Sequence, residues 1–207
     1  MRDRSIAARG LLVLAVLAGL LVTSTSRAAG LPDDVRRRLA AGEVVVTDTM
    51  PPGASKTASG GTALARVRAA PEQVWRVIVD YHGHPRYYPR VTAAEVVESD
   101  AKHALVRYEV SVGPFAFNFF MAKYPDPRRR RVEWRLAEGR AHGLFRENSG
   151  YWQVDADAAD ASLVTYAIAV RTLLPAFVTG GAERDSLVET VTALRKLVEE
   201  GSAPARR

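Results

Sequence analysis

The sequence predicts an α+β fold in which a curved antiparallel sheet packs against a long C-terminal helix. Between residues 93 and 170, short stretches of alternating apolar and polar residues are separated by turn residues, which is typical of antiparallel strands. After Pro175, an amphipathic helical pattern runs to about Glu200. One strand, one helix, many strands and a final helix together indicate a single α+β domain. A chain of 207 residues is long enough for one sizeable core.

The first helix of this domain is predicted over residues 70–80. Pro71 stands at its first helical position, where a missing N–H costs nothing, and Glu72 lies in its first turn. Gly83 and Pro85 end the regular helix. The apolar residues that share its buried face are Val74, Val77, Ile78 and Tyr81.

The strands are predicted from period-two alternation, the repeat of side chains along an extended chain. The first strand, over residues 62–68, precedes the helix. The later strands are expected at 93–98, 104–112, 115–121, 130–136, 150–154 and 163–170. The C-terminal helix is expected over about 176–199. Its buried face is formed by Leu187, Val191, Leu194 and Val198.

The first 29 residues have the three parts of a secretory signal peptide. Basic residues, among them Arg4 and Arg9, precede an uncharged apolar run over residues 10–22, and small or polar residues follow up to Ala29. This run is shorter than the ~20 residues that a membrane-spanning helix needs. We therefore expect a periplasmic or secreted protein, with an uncleaved N-terminal membrane anchor as the alternative.

Residues 30–59 are predicted to form an N-terminal extension and linker. It contains a short helix near residues 31–42, a brief strand near residues 43–47, and a loop rich in Gly, Pro and Ser. The main domain is expected over residues 60–200, followed by a disordered tail at residues 201–207.

Composition excludes several kinds of chemistry. The chain has no cysteine, which rules out disulfides, thiolate nucleophiles and thiolate metal sites. His82 and His84 resemble a metal-binding pair, but no third ligand is marked by spacing, so we expect no metal and no cofactor. The sequence has no nucleophile-elbow serine and no glycine-rich phosphate loop. The net charge of +6 is too modest to indicate a nucleic-acid partner, and we expect none.

A set of short motifs points to a family. Ala70-Pro-Glu-Gln-Val-Trp75 opens the first helix, Asp80-Tyr81 and Tyr88-Pro89 follow its end, and Gly150-Tyr-Trp-Gln-Val154 stands late in the sheet. This order resembles the START-like superfamily, and within it the polyketide cyclase/dehydrase and coenzyme Q-binding group, over roughly residues 60–200. The resemblance implies a helix-grip fold, in which a curved sheet wraps around the C-terminal helix and encloses an internal cavity.

The residues expected to line such a cavity are those that alternation places on the inner face of the strands, together with residues on the buried face of the C-terminal helix. The set is rich in large aromatic side chains, which suit the wall of an apolar pocket. The candidate cavity residues are Tyr108, Val110, Phe115, Phe117, Phe119, Met121, Trp134, Trp152, Leu187 and Val191. Together with the resemblance, they predict a protein that binds or transfers a hydrophobic molecule such as a lipid, sterol or quinone.

Two other functions stay open from the sequence. The same cavity could serve a cyclase or dehydratase, with Tyr108, His142 or Glu147 as the acid or base. Alternatively, the interior could be a filled core in a ligand-free interaction domain. A buried ionisable group in the cavity would favour the enzyme, and a measured cavity volume would exclude the filled core. Arg146, Glu147 and Asn148 lie between two predicted strands and are candidates for contact with a polar head group.

A run of four arginines, Arg128, Arg129, Arg130 and Arg131, is expected at a hairpin tip. One interpretation is a solvated turn whose charge hinders edge-to-edge aggregation of sheets. The other is transient contact with an anionic membrane surface, worth ~1 kcal/mol per basic residue near the surface.

Overall fold

The computed structural model describes residues 30–158, 160–173 and 182–202. The expected signal peptide at residues 1–29 lies outside the described residues, as do the predicted start of the C-terminal helix and most of the predicted tail. In the described part, the expected α+β helix-grip architecture is confirmed.

Among the residues that the structure describes, eight strands form one sheet. In chain order, β1 to β8 span Val45–Thr47, Ser59–Val67, Val91–Ser99, Ala104–Val112, Phe115–Asp126, Arg131–Leu136, Phe145–Ala158 and Ala161–Thr172. Their order across the sheet is β1-β2-β8-β7-β6-β5-β4-β3, and all neighbouring strands are antiparallel. From β3 to β8 each strand therefore pairs with the next in sequence, which is the meander that the turn spacing predicted.

Within the described ranges, three α-helices and a short 3₁₀ helix accompany the sheet. They are α1 at Asp33–Ala40, α2 at Pro71–Val79, the 3₁₀ helix at Tyr81–Arg86, and α3 at Ala182–Ser202. Pro71 begins α2, and the Gln73 side chain accepts a hydrogen bond from the Ala70 N–H at 3.0 Å. Pro85 lies inside the 3₁₀ helix, so the chain tightens there instead of extending α2.

The main core lies between α3 and the concave face of the sheet. The predicted helix face is correct, because Leu187, Val191, Leu194 and Val198 are all buried in it. They pack with buried side chains that the middle strands present to the concave face, among them Val106. The helix is also tied to the rest of the domain by charged side chains. The contacts are Arg68 with Glu199 (3.0 Å), Arg184 with Asp48 (3.1 Å), and Arg195 with the Gly42 carbonyl (2.7 Å).

The N-terminal extension adds to this sheet. β1 pairs with β2 as an edge strand, and α1 covers part of the outer face, where Leu39, Val45 and Leu163 form a second small core. Leu163 and its neighbour Val164 are both buried, one on each face of β8. Covering the outer face with α1 therefore lets this strand be apolar on both sides.

Most strands extend beyond their predicted ends, and β5 and β7 do so by the largest amount. β5 continues past Met121 to Asp126, and β7 begins at Phe145 with a register shift instead of beginning at Gly150. Gly150 itself has a clear packing role. A Cβ at this position would lie 2.1 Å from the Ala167 carbonyl oxygen and 2.6 Å from the Trp134 ring, so only glycine fits.

None of the helices in the described ranges is both long and apolar enough to cross a membrane.

Candidate functional site

A cavity of about 270 Å³ lies between the concave face of the sheet and the N-terminal half of α3. Its wall is formed mainly by aromatic and aliphatic side chains. They are Tyr88, Val91, Tyr108, Val110, Phe119, Met121, Trp134, Leu144, Phe145, Tyr166, Ile168, Val170 and Leu187. The interior of the domain is therefore not a completely filled core.

The structure brings six of the ten sequence-predicted cavity residues to this wall. They are Tyr108, Val110, Phe119, Met121, Trp134 and Leu187. Tyr108 and Phe119 face each other across β4 and β5 as a stacked pair with ring centroids 5.4 Å apart, and Phe145 packs on Phe119 at 4.5 Å. Trp134 stacks on Tyr166 at 5.8 Å. Two aromatic platforms, the Tyr108–Phe119–Phe145 group and the Trp134–Tyr166 pair, thus form parts of the cavity wall.

Phe115 and Phe117 do not line the cavity. Phe115 is 65% exposed and follows the tight turn at Gly113, whose φ is +58°. Phe117 is half-buried at the edge of the core, where it packs beside Gly143. Both have the predicted parity, but one is exposed and the other lies only at the edge of the core. The prediction was wrong for these two because alternation assigns a face of the sheet and not the layer above it.

Trp152 and Val191 are fully buried, but they lie in the packed core and not on the cavity wall. Trp152 stacks on Tyr166 with centroids 4.1 Å apart, and its Nε1–H donates to the Tyr88 hydroxyl at 2.7 Å. Trp152 therefore supports two wall residues from behind. Val191 lies one turn beyond Leu187 on α3, where the sheet and helix close on each other.

Lys123 is the main cavity residue that sequence reasoning missed. It lies on β5 two residues after Met121, has the inward parity, and is only 3% exposed. Its Nζ lies 4.5 Å from the Trp134 ring centroid and 5.3 Å from that of Tyr108, within cation–π range. Burial lowers the pKa of Lys123 from 10.5 to about 7. Continuing the alternation past Met121 would have identified it, but the predicted strand stopped there.

Behind the wall, His84 and Tyr108 form a buried hydrogen-bonded pair. His84 Nε2 lies 2.9 Å from the Ile78 carbonyl oxygen, which can only accept, so Nε2 carries the proton. The Tyr108 hydroxyl then donates to His84 Nδ1 at 2.7 Å. Burial, together with the nearby positive charge of Lys123, lowers the pKa of His84 well below 6.5. His84 is thus a neutral support for Tyr108, whereas His82 is exposed, so the two histidines do not form a metal-binding pair.

Other polar groups at the wall are satisfied within the protein. Asn148, which the sequence had placed between strands, lies in β7 and accepts a hydrogen bond from Trp134 Nε1–H at 3.1 Å. Tyr166 donates to the Tyr88 hydroxyl, and burial raises the pKa of both tyrosines. Serine and threonine side chains also reach the wall from α3, at Ser186 and Thr190.

The acid or base candidates His142 and Glu147 are not among the residues lining the cavity. Glu147 accepts a hydrogen bond from the Ser55 N–H at 3.0 Å and lies 3.9 Å from the Arg171 guanidinium. Arg146 is exposed. Of the three candidates for acid–base chemistry, the structure therefore brings only Tyr108 to the cavity.

The four arginines lie at the turn between β5 and β6, and they differ in their surroundings. Arg130 pairs with Glu72 at 2.7 Å, and Arg131 pairs with Glu133 at 2.7 Å. Arg131 also lies over the Tyr151 ring, 3.7 Å from its centroid. Arg128 and Arg129 are exposed.

Comparison with known proteins supports the same architecture. A family model described as polyketide cyclase/dehydrase and lipid transport matches residues 67–195. No curated protein matches the chain.

Several solved structures share the fold. A START superfamily protein from Mycobacterium smegmatis is 16% identical with a TM-score of 0.58, covering 68% of this chain and 97% of its own. The Zhui aromatase/cyclase from Streptomyces sp. R1128 is 19% identical with a TM-score of 0.56, covering 70% and 95%. A STAR-related lipid transfer protein from Xanthomonas axonopodis is 15% identical with a TM-score of 0.55, covering 75% and 98%. At these identities, the likeness concerns the fold alone.

Proposed function

Because the chain belongs to the polyketide cyclase/dehydrase and lipid transport family, we propose that it binds a hydrophobic, lipid-like molecule in its cavity. A lipid, sterol or quinone is the ligand class we favour. The observation that carries the proposal is the cavity of about 270 Å³ with largely aromatic walls, in the place where a filled core would otherwise lie. That volume is near the lower end of the range for small-molecule pockets, roughly 300–1,000 Å³.

The affinity would come mainly from apolar contact. Burying apolar ligand surface contributes roughly 25 cal/mol per Å². The wall tyrosines and Asn148 already have hydrogen-bond partners in the protein, so a hydrocarbon ligand leaves none of them newly unpaired. At these groups an apolar molecule therefore meets little desolvation penalty on entry.

Binding of N-phenyl-1-naphthylamine, an uncharged apolar fluorophore, tests this proposal. We expect its emission to rise on binding and tryptophan emission to fall, since Trp134 lies on the wall. Phe119→Ala should weaken binding at least tenfold while costing less stability than the ~3–5 kcal/mol typical of a fully packed phenylalanine. Phe120→Ala is the matched control, because Phe120 belongs to a separate cluster that does not line the cavity. No binding by the wild type would contradict the proposal.

A second candidate function is a cyclase or dehydratase using the same cavity, and one observation favours it. Lys123 is a buried ionisable group on the cavity wall whose pKa is lowered to about 7, which suits a general base near neutral pH. The neutral amine would take a proton from the carbon next to a carbonyl group. The resulting enolate would attack a second carbonyl of the same molecule, and loss of water would follow.

The test of this second function is the conversion of 2,6-heptanedione to 3-methylcyclohex-2-enone and water. The absorbance of the enone measures the rate. An enzyme of this type should accelerate the reaction, and Lys123→Met should abolish the acceleration. Equal rates with the wild type, the variant and buffer would contradict this second function and would leave binding as the proposed function.

We further propose that the protein is exported and that Arg128 and Arg129 contact an anionic membrane surface transiently. Support comes from the signal-like first 29 residues and from the exposure of these two arginines. Intact-mass analysis of the exported protein should find a start near Ala29; a retained apolar segment would indicate the membrane anchor instead. The fraction of protein that sediments with phosphatidylserine vesicles should fall at high salt, and it should also be lower for the Arg128→Gln/Arg129→Gln variant.

A further inference from the structure

The charged residues on the cavity wall all carry the same sign. Among the described residues that line the cavity, the charged side chains are those of Lys123 and Arg90, and no aspartate or glutamate is present. Lys123 is buried at the wall, whereas Arg90 is exposed beside Pro89 and Val91. The cavity is thus apolar over most of its surface and positive where it is charged.

Lys123 has no anionic partner in the described part of the protein. Lys123 contacts the rings of Trp134 and Tyr108, and among the described residues no hydrogen bond or ion pair reaches its Nζ. Trp134 lies directly opposite Lys123 across β5 and β6, so this arrangement is built into the strand register. A buried ammonium group without a counter-charge is costly. A ligand that brings an anion would relieve this cost.

We propose that the cavity selects an apolar molecule carrying one carboxylate, which pairs with Lys123 Nζ while the hydrocarbon part lies against the aromatic platforms. This inference rests on the proposed binding function and narrows its ligand class. Charge-assisted hydrogen bonds in a dry site are stronger than neutral ones, so a carboxylic acid should bind more tightly than the alcohol of equal chain length. Pairing would also keep Lys123 charged, and it could not then act as the base of a cyclase.

The other ionisable groups around Lys123 do not compete for this role. Burial raises the pKa values of Tyr88, Tyr108 and Tyr166, so these hydroxyls are neutral at and above neutral pH. His84, behind Tyr108, is neutral because burial lowers its pKa. Of the ionisable groups at the wall, Lys123 is the one expected to change charge between about pH 6 and pH 9.5.

The test compares decanoate with decan-1-ol as competitors of N-phenyl-1-naphthylamine on the full chain at pH 6. Wild-type protein should prefer decanoate by roughly tenfold or more, the ratio expected for one charge-assisted hydrogen bond. Lys123→Met should lose this preference and still bind the fluorophore, since methionine keeps the wall apolar. Lys102→Met, at an exposed lysine outside the cavity, should keep the preference.

A second measurement needs no variant. The wild-type preference should shrink between pH 6 and pH 9.5, where decanoate and Arg90 stay charged and Lys123 loses its proton. Equal affinity for acid and alcohol at pH 6, with the fluorophore bound, would overturn this inference and leave the binding function intact. A preference that survives both Lys123→Met and high pH would overturn the assignment to Lys123. Failure of the wild type to bind the fluorophore would instead overturn the proposed function itself.

Discussion

Replacing Lys123 by methionine should stabilise the protein, and by an amount that depends on pH. Burial holds the pKa of Lys123 at about 7 in the folded state, against 10.5 for a solvated lysine. Below about pH 7 the folded protein carries the whole cost of a buried ammonium, ~5 kcal/mol at about 1.4 kcal/mol per pH unit. Between the two pKa values the unfolded chain binds more protons, so wild-type stability rises with pH there. Methionine has no charge to desolvate.

The cation–π contacts of Lys123 with Trp134 and Tyr108 are lost in the variant and offset part of this gain, at up to ~2 kcal/mol. We therefore expect Lys123→Met to be more stable than wild type by roughly 3 kcal/mol at pH 6, with the difference shrinking by about 2 kcal/mol between pH 7 and pH 9. Urea denaturation at several pH values measures both, with the exposed Lys102→Met as control. A destabilised variant, or a difference that does not change with pH, would refute the reasoning.

Two further predictions concern the core and the support of the cavity wall. Val191→Asp should lower the free energy of unfolding by more than ~3 kcal/mol, because it places a carboxylate without a partner in the core. Val188→Asp, on the half-exposed side of α3, is the control and should change stability little. Equal thermal melts for the two variants would show that the helix face is misassigned. Tyr108→Phe should lower the free energy of unfolding, measured by urea denaturation, by about 1–3 kcal/mol, since it leaves buried His84 Nδ1 without its donor. An unchanged unfolding midpoint would mean that the two side chains are not hydrogen-bonded in solution.

Several features of the fold follow from local patterns in the sequence. Pro71 and the apolar stripe behind it predicted α2 to within a residue or two, because a helix start depends on the first turn alone. The order of β3 to β8 followed from short turns, which join neighbouring antiparallel strands, whereas the pairing of β2 with β8 did not. The face of each central strand was also predictable, since side chains alternate along any extended chain.

Strand ends were less predictable. The predicted strand stopped at Met121, yet β5 continues to Asp126 through hairpin pairing with β6. The alternation does continue past Met121, but alternation alone does not fix where a strand ends, because the end depends on the pairing with the next strand. The consequence was large, because the missed segment carries Lys123.

By itself, the sequence determined which side chains of the central strands face inward, and it identified six residues of the cavity wall. Only the tertiary structure decided which inward-facing side chains are covered. Phe115 shares the parity of Phe119, yet Phe115 is exposed and Phe119 lies on the cavity wall. Lys123 shows the converse, since a residue type that usually faces water is buried where Trp134 and Tyr108 surround it. Alternation depends on the geometry of a single strand, whereas burial depends on which distant element packs above it.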